Sequence, residues 1–405
     1  MLLLAAGSGI AALIYEVVWF QLLELVIGST AVSLGVLLAT FMGGLCLGSL
    51  LFPRLVPAAR FGALRVYAAI ELGIGIFGIA VLWLMPLAGG VYTAWTGYGL
   101  QGFLLRGLVA AACLLAPTLL MGATLPALAR TVEETPGAVS WLGFVYAANI
   151  AGAVFGCLIS GFYLLRVFDV TTATYAAMAV NAATAAIALA LAAKTARKSK
   201  STPAPIFSIA GQVGSRPSVL LAIGLSGFCA LAAEALWTRL LGLLLGASVY
   251  TLSLILAVFL VGLGVGSGIG SLLCRTLARP RLALGWCQWL AAAAIAWTAY
   301  MLTASLPYWP IDPSISSNLW FTGQLDLVRA FWALLPPTLL WGASFPLALA
   351  AAASKGQDGA RLMARIYAAN TLGAIAGALS ASLLLIAWVG SRRAQQVLMA
   401  FSVIA

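Results

Sequence analysis

Glu16-Val-Val-Trp19 lies in the first long apolar stretch of the chain and returns 218 positions later as Glu234-Ala-Leu-Trp237. Three further blocks return in the same order. They are Phe41, Gly44, Gly48 and Ser49, which recur as Phe259, Gly262, Gly266 and Ser267; PTLLMGATLP at 117–126, which recurs as PTLLWGASFP at 337–346; and YAAN at 146–149, which recurs at 367–370. Four blocks in one order indicate two homologous halves of one chain.

Composition predicts that this chain lies in a lipid bilayer. Of its 405 residues, 63% are hydrophobic and 8% are charged, and the mean hydropathy is +1.09, so there is too little polar surface to cover a soluble globule. A spanning helix needs about 20 mostly apolar residues. The sequence contains twelve apolar stretches: 2–27, 30–52, 63–86, 101–129, 138–165, 170–193, 218–245, 247–277, 281–306, 325–352, 360–388 and 391 onward. We therefore expect an all-α polytopic membrane protein with about twelve transmembrane helices.

These stretches predict a first six-helix repeat over 1–193, a linker over 194–217 that is rich in Lys, Ser and Pro, and a second repeat over 218–405. Six spans per repeat place both halves in the same orientation. The twelfth stretch stops at Ala405 after about 15 residues. We expect either that this helix ends inside the bilayer or that the chain continues beyond Ala405.

The positive charges predict the orientation of the chain. With a cytoplasmic N-terminus, 15 of the 21 Lys and Arg residues lie in cytoplasmic loops or their flanks, as the positive-inside rule requires. Arg392 and Arg393 fall on the outer side and depart from the rule. Because the basic residues are spread over loops, the net charge of +11 indicates topology and not a nucleic-acid partner.

Glu16 and Glu234 fall near the centres of spans one and seven, where acids usually face the interior of a helix bundle or a water-filled cavity. Trp19 and Trp237 follow three residues later on the same helix face. A carboxylate beside an indole suits an organic cation, since the ring face adds cation–π attraction. The alternative is a structural ion pair with Arg106, Arg329 or Arg239.

Other polar residues of the spans have two readings each. Arg106 and Arg329 are either counter-ions or residues that extend to the outer interface. The pairs Tyr146/Asn149 and Tyr367/Asn370 each share a helix face and either line the site or form hydrogen bonds between helices. The repeated prolines mark either a gate or a fixed kink in spans four and ten. Glu71 has Gln288 as its counterpart, so any role of that acid belongs to one half.

Several classes of site are excluded or disfavoured by the residue types. The sequence contains no histidine, which removes His-based triads, haem and most zinc sites. The six cysteines lie in apolar spans without a CxxC pair and are read as small hydrophobic residues. We expect no metal, no cofactor and no catalytic constellation within this chain.

The blocks YEVVW, PTLLMGATLP and YAANxxGA resemble the membrane domain of bacterial spermidine-synthase-like fusion proteins. The resemblance implies a bacterial inner membrane, a six-plus-six layout similar to that of major facilitator transporters, and a soluble aminopropyltransferase-type domain that would begin after Ala405. The facilitator loop signature is missing from the loop after span two, at 52–57. The enzyme's own residues would lie in the downstream domain and are not carried onto this chain.

Two functions follow from these observations and stay open. In the first, the membrane module binds or transports a polyamine-like organic cation through a central cavity, with Glu16 and Glu234 facing that cavity. In the second, the module is an anchor or scaffold for the C-terminal enzyme domain. The repeated acids favour the first function, because an anchor needs only packing.

Overall fold

The computed structural model describes residues 1–27, 30–56, 62–95, 100–132, 138–195, 217–246, 249–274, 276–309, 319–353 and 359–405. Over these ranges the regular structure is entirely helical, and the all-α prediction is confirmed. The helices are α1 Leu2–Ile27, α2 Thr30–Leu55, α3 Ala63–Trp95, α4 Leu100–Val132, α5 Ala138–Ile159, α6 Val170–Thr195, α7 Pro217–Leu245, α8 Val249–Leu273, α9 Pro280–Tyr300, α10 Leu319–Ala352, α11 Gly359–Ser380 and α12 Gly390–Ile404.

Turns of π-helix, and in one case of 3₁₀-helix, extend three of these helices. π-Helical turns follow α5 at Ser160–Leu164, α9 at Met301–Ser305 and α11 at Ala381–Val389. A short α-helical turn, Leu165–Val167, then completes the fifth helix, and a 3₁₀ turn, Leu306–Tyr308, completes the ninth. The π turns after α5 and α11 begin at equivalent positions of the two repeats, so this irregularity is itself repeated.

Eleven helical segments of the described chain are long and apolar enough to cross a membrane. The last of these, Arg365–Ile404, includes most of α11 and all of α12. Gly390 divides it, because its φ of 75° and ψ of 164° interrupt the helical backbone, and α12 then packs beside α7 and α9. The chain is therefore a multi-pass membrane protein of twelve helices in its described part. Its last helix of 15 residues is about 22 Å long, shorter than the bilayer core of about 30 Å.

The chain divides into two compact units, Met1–Ile209 and Ala210–Ala405. In the first unit α1 packs against α5 and α6, α4 packs against α2 and α3, and α3 also packs against α6. In the second unit α7 packs against α11 and α12, α10 packs against α8 and α9, and α9 also packs against α12. Each unit thus uses the same set of helix pairs. The predicted linker 194–217 lies almost wholly outside the described residues.

Repeated glycines bring the paired helices into backbone contact. A Cβ atom added at Gly9 would meet the carbonyl oxygen of Asn149, and one added at Gly227 would meet that of Asn370. The same equivalence holds for Gly48 and Gly266, Gly122 and Gly342, Gly152 and Gly373, and Gly156 and Gly377, whose added Cβ atoms would each meet a carbonyl oxygen of the partner helix. The small-residue faces are packing surfaces in both units.

The consecutive prolines of α10 are accommodated by a neighbouring helix. Pro336 and Pro337 lack the N–H groups that would bond the carbonyls of Trp332 and Ala333, four residues earlier. Trp297 of α9 donates its indole N–H to the Trp332 carbonyl at 3.0 Å, and Thr298 donates its hydroxyl to the Ala333 carbonyl at 2.7 Å. Both freed carbonyls are therefore satisfied by packing, as the bilayer interior requires.

Candidate functional site

Glu16 lies near the middle of α1 and is 5% exposed. No hydrogen bond or ion pair joins it to another residue that the structure describes. The first unit therefore places the Glu16 carboxyl in an apolar interior without a neighbouring cation among the described residues. None of the described residues supplies the structural ion pair that the sequence offered as an alternative for Glu16.

Glu234 takes the equivalent place in α7 and is 6% exposed. Unlike Glu16, Glu234 takes part in an interaction with another residue. The two repeats thus keep an acid at mid-helix but give it different surroundings.

The two tryptophans are fully enclosed, and other rings cover their faces. Trp19 stacks on Tyr15 with ring centroids 5.3 Å apart and planes at 21°. Trp237 stacks on Trp341 of α10 at 5.7 Å and 29°, and Phe259 of α8 lies 6.2 Å away. The N–H groups of both indoles have no acceptor in the described structure. In this arrangement the indoles form apolar walls. The two rings of each stacked pair cover each other's facing sides.

Arg329 is buried in α10 and pairs with an acid of its own helix. Its Nη1 lies 3.3 Å from Oδ1 of Asp326, and Tyr250 of α8 donates its hydroxyl to Oδ2 of Asp326 at 3.3 Å. Arg329 is therefore a counter-ion to Asp326 and does not extend to the interface. Arg106 lies in α4, but its side chain is outside the described part of the structure.

The Tyr/Asn pairs lie away from the acids along the same helix contacts. Asn149 donates its side-chain amide to the carbonyl of Ala5 at 3.1 Å, eleven residues before Glu16, whereas Tyr146 is 51% exposed. In the second unit, Tyr367 packs edge-on against Phe345 at 6.4 Å, and the side-chain oxygen of Asn370 lies close to Gly227. The structure does not gather these pairs around Glu16 or Glu234.

Sequence reasoning missed the rings that cover the indoles and the polar partners of Glu71. Trp341 stands where the first repeat has Met121, and such departures from the repeat were the signal available. Asn181 of α6 donates its amide to Oε2 of Glu71 at 2.6 Å. Nothing in the apolar run around Asn181 indicates that partner, because the two residues are 110 positions apart.

Comparisons with known proteins give structural likeness alone. No family model matches the chain, and no curated protein matches it. The fold is similar to the crystal structure of the POT family transporter PepTSo, with a TM-score of 0.46 and 13% identity over 99% of this chain and 94% of that chain. It is also similar to the human organic anion transporter MFSD10 (TETRAN), with a TM-score of 0.43 and 15% identity over 98% of this chain and 97% of that chain. Neither likeness assigns the chain to a family or a substrate.

Proposed function

We propose that this chain is a membrane module that binds a small organic cation of the polyamine type and carries it across the bilayer. Glu16 and Glu234 are the residues that recognise its positive charge. The observation that supports this proposal most is Glu16 itself, a carboxyl at the middle of α1 that is 5% exposed and has no cationic neighbour among the described residues.

The energetic cost of that arrangement favours a ligand. An acid at the centre of a membrane helix costs about 2.5–3.5 kcal/mol on insertion scales. Packing alone would be served better by an apolar side chain, since a buried charge without a partner destabilises the fold. A cation supplied by a ligand offsets this cost only while the ligand is bound, as binding and release require.

The surroundings suit a cation with apolar segments. Trp19, which stacks on Tyr15, follows Glu16 by three residues, and Trp237, which groups with Phe259 and Trp341, follows Glu234 by three residues. The methylene segments of a polyamine pack on such walls while its ammonium groups approach the carboxyl.

The second candidate is an anchor or scaffold for a C-terminal aminopropyltransferase-type domain. One observation favours it: both indoles are fully buried and stacked, as in a module whose interior is packed for stability alone. In that case the acids do not bind a ligand.

Binding to the purified chain in lipid nanodiscs separates these functions. We expect spermidine to bind the wild type, and we expect Glu16→Gln and Glu234→Gln each to weaken binding by about tenfold to a hundredfold, since a hydrogen bond to a charged group is worth about 1.5–3 kcal/mol. Glu24→Gln, which removes another acid of α1, serves as the matched control and leaves the affinity unchanged. Unchanged affinity in both test variants, with helical content intact, would leave the module as an anchor.

A further inference from the structure

A second buried acid lies in the first unit, away from Glu16. Glu71 of α3 is 0% exposed and accepts a hydrogen bond at Oε2 from the side-chain amide of Asn181 in α6, at 2.6 Å. Ser8 of α1 and Tyr67 of α3 lie beside the same carboxyl. This cluster joins three helices through one side chain.

Two hydrogen-bond acceptors of this cluster have no donor. Oε1 of Glu71 and Oδ1 of Asn181 are both buried and have no donor. Tyr67 donates its single hydroxyl hydrogen to the carbonyl of Leu4 at 2.9 Å, so towards Glu71 its oxygen is an acceptor. Buried acceptors without donors cost free energy comparable to that of a lost hydrogen bond.

No positive charge compensates Glu71 among the described residues. The titratable groups that act on it are Tyr15 of α1 and Tyr67, and the residue that contacts it from α6 is the neutral Asn181. On α4, Arg130 is engaged elsewhere, since it donates to the carbonyl of Val56 at 2.8 Å and lies over the Phe52 ring at 4.4 Å. An ionised Glu71 would be an uncompensated charge in an apolar interior.

We propose that Oε1 of Glu71 carries a proton at neutral pH and donates it to Oδ1 of Asn181, so that this pair is a proton-binding site of the first unit. A carboxylic acid and a primary amide are planar groups that exchange two hydrogen bonds in a ring. Asn181 already supplies one of them to Oε2. A single hydrogen on Oε1 completes the ring and satisfies both acceptors that lack a donor.

The second repeat provides an independent observation. Gln288 of α9 stands where the first repeat has Glu71, and its amide donates to the Ser344 hydroxyl at 3.0 Å. Ser402 of α12, at the position equivalent to Asn181, donates to the main-chain carbonyl of Gln288 at 3.0 Å. Glutamine is the neutral isostere of a protonated glutamic acid, but it has no proton to release. The first repeat therefore keeps a releasable proton where the second keeps a permanent amide.

Release of this proton would weaken the contact between α3 and α6. The ionised carboxylate would retain the bond from Asn181 to Oε2 but would leave both Oε1 and Oδ1 without a hydrogen. Protonation of Glu71 is thereby linked to the packing of α6 on the bundle. The site is separate from Glu16 and Glu234 and stands whether or not these acids bind a cation.

Infrared spectroscopy of the full chain in lipid tests the proposal directly. We expect the wild type at neutral pH to show the C=O absorption of a protonated carboxyl, and we expect Glu71→Gln to lose that contribution, whereas Glu24→Gln keeps it. Asn181→Leu should shift the absorption, because the amide that accepts the proton is removed. An unchanged protonated-carboxyl absorption in Glu71→Gln would overturn the proposal, as would an unshifted one in Asn181→Leu.

Thermal unfolding supplies a second readout. Because the folded state holds a proton that the unfolded carboxyl releases, stability of the wild type should fall as the pH rises above the range in which a free carboxyl titrates. Glu71→Gln should remove this component of the fall while keeping the unfolding midpoint at low pH, since glutamine supplies the missing hydrogen. An equal pH dependence in both proteins would contradict the proposal. A saturable rise of the wild-type midpoint with Na⁺, absent in Glu71→Gln, would contradict it too and identify a metal-cation site.

Discussion

Glu16 and Glu234 hold equivalent places in α1 and α7, yet the rings that enclose their neighbouring tryptophans come from different helices. Trp19 stacks on Tyr15 of its own helix, whereas Trp237 stacks on Trp341 of α10. The second repeat has alanine at the position of Tyr15, and the first has methionine at the position of Trp341. Each half therefore encloses its indole with one stacked ring. The acid and the indole are repeated, and the means of enclosing them is not.

At the same scale, Gly390 controls the start of α12. Its φ of 75° and ψ of 164° belong to a region that is essentially restricted to glycine and costs other residues about 1–3 kcal/mol. A Cβ atom there meets nothing within 4 Å, so backbone strain is the whole effect. We expect Gly390→Ala to lower the free energy of unfolding by about 1–3 kcal/mol, measured by denaturant unfolding in detergent.

Gly268→Ala is the matched control for this prediction. Gly268 lies inside α8, is exposed, and also leaves open space for a Cβ atom. Alanine favours a helix interior by about 1 kcal/mol over glycine, so this substitution should stabilise the protein. The same sign for both substitutions would contradict the role assigned to Gly390.

At the scale of helices, apolar runs predicted the elements well. The stretch 2–27 matches α1, and 170–193 falls within α6, Val170–Thr195. Run length and composition carry this information because a spanning helix is defined by both. The stretch 325–352 was wrong at its start, since α10 begins at Leu319 and Thr322, Gly323 and Gln324 interrupt the apolar run there. The π-helical turns after α5, α9 and α11 leave composition unchanged and could not be predicted from it.

Helix ends show how equivalent positions diverge. Asp169 caps α6 by accepting a hydrogen bond from the backbone N–H of Thr172 at 2.8 Å. The pKa of the Asp169 carboxyl is lowered because the side chain and the backbone of Thr172 both donate to it. The second repeat has Gly390 at this place. An Asp three residues before a Thr at the start of an apolar run is a cap that sequence can indicate, whereas a glycine there does not reveal its φ.

The candidate site could be predicted only in part, because the sequence of one helix does not show which helices pack against it. Buried acids stand out in an apolar span, so Glu16, Glu234 and Glu71 are visible from sequence alone. Their surroundings depend on which helices pack together. The donors to the carbonyls freed by Pro336 and Pro337, Trp297 and Thr298, come from α9, and no periodicity in α10 indicates that neighbour.

At the scale of the whole molecule, we propose that the protein lies in a bacterial inner membrane with its N-terminus and the linker 194–217 in the cytoplasm. The distribution of Lys and Arg supports this orientation. In a cysteine-free variant, Ser201→Cys should react with an impermeant maleimide only after cells are permeabilised, whereas Ser314→Cys, between α9 and α10, should react in intact cells. The reverse pattern would invert the orientation.

Uptake of labelled spermidine into proteoliposomes tests most directly whether this two-repeat module moves an organic cation. The proposal predicts saturable uptake by the wild type and by Glu24→Gln, and uptake no greater than that of protein-free vesicles when Glu16→Gln and Glu234→Gln are combined. Binding of spermidine without any uptake by the wild type, or uptake that persists in the combined variant, would contradict it.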